Sequence, residues 1–180
     1  MRRIIVSMFV TLDGVMETPE KWVPPFATKE IDTFKFEEAR EGGALLLGAR
    51  TYQIFAGSWP SRTGELAERI NGLPKYVVST TAEQLQWNNS HQITGNVEET
   101  VVGLKQQSGQ DILVAGSGVL VQTLMRHNLI DEYRLLVYPI VLGKGKRLFE
   151  GGATAKLKLS ETRVFDTGVV LLRYEPSKRE

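Results

Sequence analysis

The sequence predicts an α/β fold built on a mixed β-sheet, and three observations support this. Short runs at 44–47, 76–78 and 111–115, apolar throughout except for Asp111, are typical of strands buried on both faces. Segments with helical spacing of apolar residues alternate with these runs, as in a parallel sheet with helical crossovers. The last third of the chain instead contains long strand-like segments separated by glycine turns, which indicates antiparallel strands.

The individual elements follow from local composition. Residues 3–10 are rich in β-branched types and are followed by Asp13-Gly14, which predicts a first strand closed by a turn. A helix over 29–40 begins after Thr28, a favourable N-cap residue, and ends at Gly42-Gly43. Further helices are expected at 51–55, 65–70, 98–107 and 117–127, and further strands over 132–142, 156–165 and 169–174.

Composition disfavours several classes of protein. With 180 residues, 42% of them apolar and 24% charged, the chain is expected to form one globular domain over 1–180. The 22 basic and 21 acidic residues leave a net charge of +1, which argues against nucleic acid as a partner. The absence of cysteine and the presence of only two histidines argue against a metal site. No apolar run is long enough for a membrane span and no signal peptide is evident, so a cytoplasmic protein without a membrane partner is expected.

One strand–helix junction has the composition of a phosphate-binding loop. Residues 111–115 lead through Gly116-Ser117-Gly118 into the predicted helix. A helix N-terminus has unpaired N–H groups and a partial positive charge, and glycines allow a phosphate to approach the backbone. The junction lacks the third glycine of the dinucleotide fingerprint, so a tight turn without a ligand is the alternative.

Two other strand ends have similar chemistry. Gly48-Ala49-Arg50-Thr51 follows one buried strand, and Ser79-Thr80 follows the next. Singly, each is explained equally well as an ordinary turn or helix start. If the strands are parallel neighbours, however, all three loops lie at the same edge of the sheet, where ligands of open α/β folds bind. Together they indicate an extended, multiply phosphorylated ligand such as a dinucleotide.

These segments resemble a known family. Gly48-Ala49-Arg50-Thr51-Tyr52, Val78-Ser79-Thr80 and Val114-Ala115-Gly116-Ser117-Gly118-Val119 resemble the dihydrofolate reductase fold. Thr11-Leu12-Asp13-Gly14 and Pro139-Ile140-Val141-Leu142-Gly143-Lys144-Gly145 are similar to its branch related to the C-terminal reductase domain of riboflavin-biosynthesis deaminase/reductases. The resemblance extends from Arg3 to Tyr174. It implies a three-layer α/β/α fold with a mostly parallel sheet and antiparallel C-terminal strands. It also implies NADPH as cofactor, a pterin- or pyrimidine-like substrate, and a homodimer.

The resemblance also implies roles for individual residues. Gly48, Ala49, Arg50 and Thr51 would face the cofactor pyrophosphate, Ser79 and Thr80 the adenosine ribose and its 2′-phosphate, and Gly116, Ser117, Gly118, Val119 and Leu120 the pyrophosphate and nicotinamide. Dihydrofolate reductases commonly have an arginine at the position of Ala49, whereas here the arginine is Arg50. The preference for NADPH over NADH therefore stays open.

Hydride transfer requires a proton source and a surface for the substrate ring. Asp13, at the end of the first strand, and Asp32, on the first helix, are the candidate catalytic acids, and Trp22 and Phe36 are the candidate substrate contacts. The alternatives are an Asp-Gly turn for Asp13 and a solvated helix face for Asp32. Two other functions also fit the sequence: a non-catalytic nucleotide-binding module of the same fold, and a flavin-binding α/β protein.

Overall fold

The computed structural model describes residues 1–80, 84–150 and 154–177. The strands are β1 (Ile4–Thr11), β2 (Gly42–Gly48), β3 (Lys75–Val78), β4 (Ser90–Ile93), β5 (Asp111–Ala115), β6 (Glu132–Tyr138), β7 (Leu157–Val164) and β8 (Val170–Pro176). The helices are α1 (Lys29–Glu41), α2 (Ala49–Ser58), α3 (Glu65–Gly72), α4 (Val97–Gln106) and α5 (Gly118–Arg126), and two short 3-10 helices, Pro19–Lys21 and Pro24–Phe26, precede α1. None of the helices described is both long and apolar enough to cross a membrane.

The strands form one eight-stranded sheet in the order β4-β3-β2-β5-β1-β6-β8-β7. The first six strands in this order are parallel, and β8 and β7 are antiparallel additions at one edge. The predicted mixed α/β sheet is therefore confirmed. Because β3, β2 and β5 are parallel neighbours, the turns that follow Val78, Gly48 and Ala115 lie side by side at one edge of the sheet.

Helices cover both faces of the sheet. In β1, Ile4 and Val6 point to the face packed by α4 and α5, whereas Ile5 points to the face packed by α1, α2 and α3. This alternation is the ordinary geometry of a strand. The run Leu45–Leu47 is buried on both faces, which explains its continuous apolarity. The structure thus has three layers, α/β/α.

A buried charge network lies between α1 and the sheet. Glu38 accepts a hydrogen bond from Ser7 Oγ (2.8 Å), pairs with Lys35, and lies 3.5 Å from Arg134 Nη1. Arg134 Nε in turn donates to Glu132 (2.6 Å). Burial alone would raise the pKa of Glu38, but the charges of Lys35 and Arg134 outweigh burial and leave the pKa below its usual value. The network attaches the middle of α1 to the central strands.

Two predicted boundaries were wrong. The strand predicted over 132–142 ends at Tyr138, since Pro139 has no N–H to continue the ladder. Gly42-Gly43, predicted only to end the first helix, also begins β2. A Cβ on Gly43 would lie 2.9 Å from the carbonyl oxygen of Gln110, so the close approach of β2 and β5 requires glycine there.

The strand β4 was not predicted. Its sequence, Ser90–Ile93, is short and polar, and it pairs only with β3 at the sheet edge. An edge strand with few buried side chains gives little hydrophobic signal.

Candidate functional site

A cleft of about 800 Å³ opens at the carboxyl ends of the central strands. Its walls are the first turns of α2 and α5, the loop segment 16–20, and the residues Lys146, Arg147 and Glu150. This volume is within the ordinary range for sites that bind cofactors and drug-sized molecules.

Most of the predicted cofactor residues lie in this cleft. Gly48, Ala49, Arg50, Thr51, Gly116, Ser117, Gly118, Val119 and Leu120 all line it. From the third predicted loop, Val78 lines the cleft, whereas Ser79 is buried next to it and Thr80 is exposed outside it. The contacts of these residues with a cofactor stay predictions.

The two glycine-containing loops are held tightly against each other. The N–H of Gly48 donates to Ser117 Oγ at 2.8 Å. Gly116 has a φ of +66°, and a Cβ there would lie 2.8 Å from Thr51 Cγ2. Glycine is therefore required at Gly116 by backbone conformation and by the close approach of Thr51. The ends of β2 and β5 form one rigid unit.

Three helices have their first residues in the wall of the cleft, namely α2, α4 and α5, and two of them, α2 and α5, have no side-chain cap. The N-cap residues of α2 and α5 are Gly48 and Ser117, and neither caps its helix with a side chain. The side chains of Thr28 and Asn96, in contrast, cap α1 and α4. Among the other helices α3, which begins after Gly64, also lacks such a cap. Uncapped N–H groups at a helix start can bind an anion.

The helices also differ in whether their first turns contain acidic residues. The first turns of α1, α3 and α4 each contain acidic side chains. The first turns of α2 and α5 contain none. Acidic residues stabilise a helix N-terminus but repel an anionic ligand. Of the three helices that begin at the cleft, α2 and α5 therefore have neither a side-chain cap nor an acidic first turn, whereas α4 has both.

The charged side chains that line the cleft are of both signs: Arg50, Lys146 and Arg147 are basic, and Glu17, Glu20 and Glu150 are acidic. Arg50, in the first turn of α2, is exposed and has no ion-pair partner within the part of the chain that is described. Ile54 and Val119 are exposed apolar side chains on α2 and α5 that line the same cleft. No group of three or more His, Asp or Glu among the described residues could hold a metal ion.

Asp13 lies outside the cleft and is fully used as a hydrogen-bond acceptor. It accepts from Thr11 Oγ1 (2.6 Å), from the N–H of Leu142 (3.2 Å) and from the N–H of Gly143 (2.8 Å). The hydrogen bond from Thr11, helped by those from Gly143 and Leu142, lowers the pKa of Asp13 to about 2. Asp13 is therefore ionised at neutral pH and holds the turn after β1.

The other predicted substrate and acid residues lie near α1 and do not line the cleft. Asp32 is exposed on the first turn of α1. Phe36 is half-buried, with the Arg40 guanidinium 5.8 Å from its ring centre. Trp22 is only 4% exposed, and its indole N–H donates to the carbonyl of Glu17 (2.9 Å). The roles of Asp32 as catalytic acid and of Trp22 and Phe36 as substrate contacts stay predictions. They would require the substrate to bind beside α1, outside the cleft.

Sequence reasoning missed one wall of the cleft. Segment 14–17 pairs with 146–148: the N–H of Met16 donates to the carbonyl of Lys146 (2.9 Å), and that of Leu148 donates to the carbonyl of Gly14 (3.0 Å). Met16 lies against the start of α5, where a Cβ on Gly118 would be 2.8 Å from its sulfur. Since the paired segments are distant in sequence, no local pattern predicts this contact.

These features define the class of the protein: an α/β protein with a cleft at the carboxyl ends of parallel strands, the usual ligand position in such folds. The chain belongs to the RibD C-terminal domain family, whose model matches residues 2–171. It is 32% identical over 179 residues to the uncharacterized protein YyaP of Bacillus subtilis (strain 168). That alignment covers 96% of this chain and 94% of YyaP. The resemblance inferred from the sequence is thereby confirmed, and the family is of the reductase type.

Solved structures confirm the fold. A Thermotoga maritima diaminohydroxyphosphoribosylaminopyrimidine deaminase/5-amino-6-(5-phosphoribosylamino)uracil reductase has a TM-score of 0.70 at 17% identity; the match covers 98% of this chain and 57% of that chain. Dihydrofolate reductase from Enterococcus faecalis, complexed with NADP(H), has a TM-score of 0.67 at 13% identity, covering 98% of this chain and 97% of that chain. The fold is that of dihydrofolate reductase.

Proposed function

We propose that this chain is an NADPH-dependent reductase that transfers a hydride from nicotinamide to a pterin- or ribosylaminopyrimidine-like small molecule. The observation that carries the proposal is the pair of uncapped, acid-free helix starts, α2 and α5, that face one cleft. A pyrophosphate has the charge and hydrogen-bond acceptors that such helix ends bind. Family membership and the dihydrofolate reductase fold support the same function.

The residues of the cleft fit a dinucleotide. The N–H groups at the start of α5, from Gly118 onward, would hold the pyrophosphate. Arg50 supplies a positive charge that has no ion-pair partner among the described residues, and Ile54 and Val119 supply apolar surface for the rings. When bound, NADPH supplies the hydride. The chain itself binds and orients the cofactor, and segment 16–20 excludes water from one side.

The substrate position in this proposal lies on the α1 side of segment 16–20. Of the two acids predicted from the sequence, Asp13 is held by hydrogen bonds within the turn after β1. The proposal therefore assigns to Asp32, which is exposed on the first turn of α1, the relay of a proton from water to the substrate. The homodimer that the resemblance implies stays a prediction.

The test is an assay of the purified protein for loss of NADPH absorbance with 5-amino-6-(5-phosphoribosylamino)uracil or dihydrofolate as substrate. Turnover with either compound is the expected result. Tight NADPH binding without turnover of any pterin or pyrimidine would instead favour the non-catalytic nucleotide-binding module. A yellow protein that retains flavin through purification would favour the flavin-binding alternative.

Arg50→Gln is expected to raise the dissociation constant for NADPH by roughly tenfold, since a hydrogen bond to a charged group contributes about 1.5 kcal/mol or more. The salt dependence of binding should become weaker as well. Arg62→Gln is the matched control: Arg62 stacks on Trp59 at 4.4 Å and lies outside the cleft. Equal losses in the two variants, measured by fluorescence titration, would contradict a direct role for Arg50.

A further inference from the structure

A buried hydroxyl without a partner lies at the carboxyl end of β6. Tyr138 is 0% exposed, and its hydroxyl has no hydrogen-bond partner within residues 1–80, 84–150 and 154–177. Two other buried side-chain atoms, Ser90 Oγ and Arg173 Nε, also lack a hydrogen-bond partner in the described part of the chain. Buried hydroxyls in native proteins are almost always hydrogen-bonded, so an unpaired one indicates a site for water or for a ligand.

Three aromatic rings surround Tyr138, all in edge-to-face contact. The ring centres of Phe9, Trp22 and Phe26 lie 5.5, 5.3 and 5.7 Å from that of Tyr138. Phe9 belongs to β1, but Trp22 and Phe26 both belong to the loop over 15–28. Loop side chains therefore provide much of the cover over Tyr138, and an opening of this loop would make the tyrosine accessible.

The same loop separates Tyr138 from the cofactor cleft. Tyr138 pairs in register with Thr11, the last residue of β1, and the loop begins just beyond it. Residues 16–20 of the loop line the cleft. The indole N–H of Trp22 donates to the carbonyl of Glu17. This hydrogen bond links Glu17, which lines the cleft, to Trp22, which contacts Tyr138. A molecule in contact with Tyr138 would thus lie next to a nucleotide in the cleft.

The Tyr138 hydroxyl is protonated at neutral pH. Burial, together with the nearby negative charge of Asp32, raises the pKa of Tyr138 to about 12. At neutral pH the hydroxyl can therefore both donate and accept a hydrogen bond. Carbonyl and ring-nitrogen groups of a pyrimidine or pterin match these two capacities, and flat rings match the aromatic surroundings.

We propose that the Tyr138 hydroxyl is the hydrogen-bonding group for the heterocyclic ring of the substrate, which enters when the rings of Trp22 and Phe26 move away from it. This inference rests on the proposed reductase function and adds a specificity-determining residue to it. Removing the hydroxyl should weaken binding of the heterocycle and leave the nucleotide cleft unchanged, because Tyr138 does not line that cleft.

The test compares Tyr138→Phe with Tyr133→Phe. Tyr133 is the matched control, since it is also a buried tyrosine of β6 but packs on the opposite face of the sheet. Binding of 5-amino-6-(5-phosphoribosylamino)uracil and of dihydrofolate is measured by tryptophan fluorescence in the presence of NADP⁺. NADPH binding and the thermal unfolding midpoint are measured in parallel.

Tyr138→Phe is expected to weaken the better-bound heterocycle by roughly tenfold, as for the loss of one good hydrogen bond. NADPH affinity should equal that of the wild type, and the unfolding midpoint should be equal or higher, because the buried hydroxyl has no partner to lose among the described residues. Tyr133→Phe should change neither heterocycle nor NADPH affinity. Unchanged heterocycle affinity in Tyr138→Phe, or an unfolding midpoint lowered by several degrees, would overturn the inference. Wild-type protein that binds NADPH but neither heterocycle would overturn it and leave the cofactor cleft standing. Failure to bind NADPH would remove the proposed function itself.

Discussion

Gly118→Asp is expected to eliminate measurable NADPH binding and leave the fold intact. Gly118 is the first residue of α5, and a side chain there would meet the end of the flexible Met16 side chain. A carboxylate at a helix start stabilises the helix. The same carboxylate would repel a phosphate at about 4 Å with an energy of about 4 kcal/mol near a protein surface, which weakens binding more than a hundredfold. Nucleotide titration and thermal unfolding measure the two effects separately.

Gly118→Asn is the control for this substitution, since asparagine has nearly the same size but no charge. It should lose part of the NADPH affinity through steric contact and retain more than Gly118→Asp does. If both variants bind NADPH like the wild type, the start of α5 does not contact the cofactor. If Gly118→Asp unfolds at a much lower temperature than Gly118→Asn, the carboxylate is acting on the fold.

Glu38→Ala is expected to have the largest effect on stability, with a loss of about 3–5 kcal/mol in the free energy of unfolding. The Glu38 side chain is 3% exposed, and its removal leaves the cations of Lys35 and Arg134 close together and partly unpaired. Glu41→Ala is the matched control on the same helix: Glu41 is 70% exposed and lies 3.8 Å from Arg134. It should change stability by about 0.5 kcal/mol or less. Urea unfolding of both variants tests this; equal losses would contradict it.

Glu38 also predicts a direction for acid sensitivity. Its pKa in the folded protein lies below its usual value. Its contribution to stability is therefore fully present above the unfolded pKa of about 4.3 and is lost as the pH falls below it through the folded pKa. Unfolding free energies measured at decreasing pH should fall more steeply for the wild type than for a Glu38→Gln variant.

The sequence predicted the strands whose consecutive residues are buried on both faces of the sheet. The runs over 44–47 and 111–115 lie in the middle of the sheet with apolar neighbours on both faces, so their composition alone identifies them. The strand Ser90–Ile93 lies at the edge and has too little buried surface to give such a signal. The strand order required the assumption of parallel neighbours, which the structure confirms for β3, β2 and β5.

The candidate site could be predicted only as far as local sequence determines it. Gly116 and its neighbours are recognisable because backbone conformation selects residue type there. The pairing of Met16 with Lys146 is non-local and leaves no pattern. Trp22 was correctly placed in the loop, but hydrophobic periodicity does not indicate that its ring faces Tyr138. The sequence also contains a second local signal for a site that accepts anions: the first turns of α2 and α5 have no acidic residues.

If the proposed dinucleotide binds at α2 and α5, whose N-termini have no side-chain cap, the stability of the folded chain depends in part on that ligand. A good N-cap contributes about 1 kcal/mol to a helix, so these two helix starts are incomplete by about that amount each. A dinucleotide that supplies the missing acceptors would act as a removable structural part. At about a hundred times its dissociation constant it would add about 2.7 kcal/mol to the free energy of unfolding. The lifetime of this protein in a cell would then follow the supply of the nucleotide as well as its own sequence.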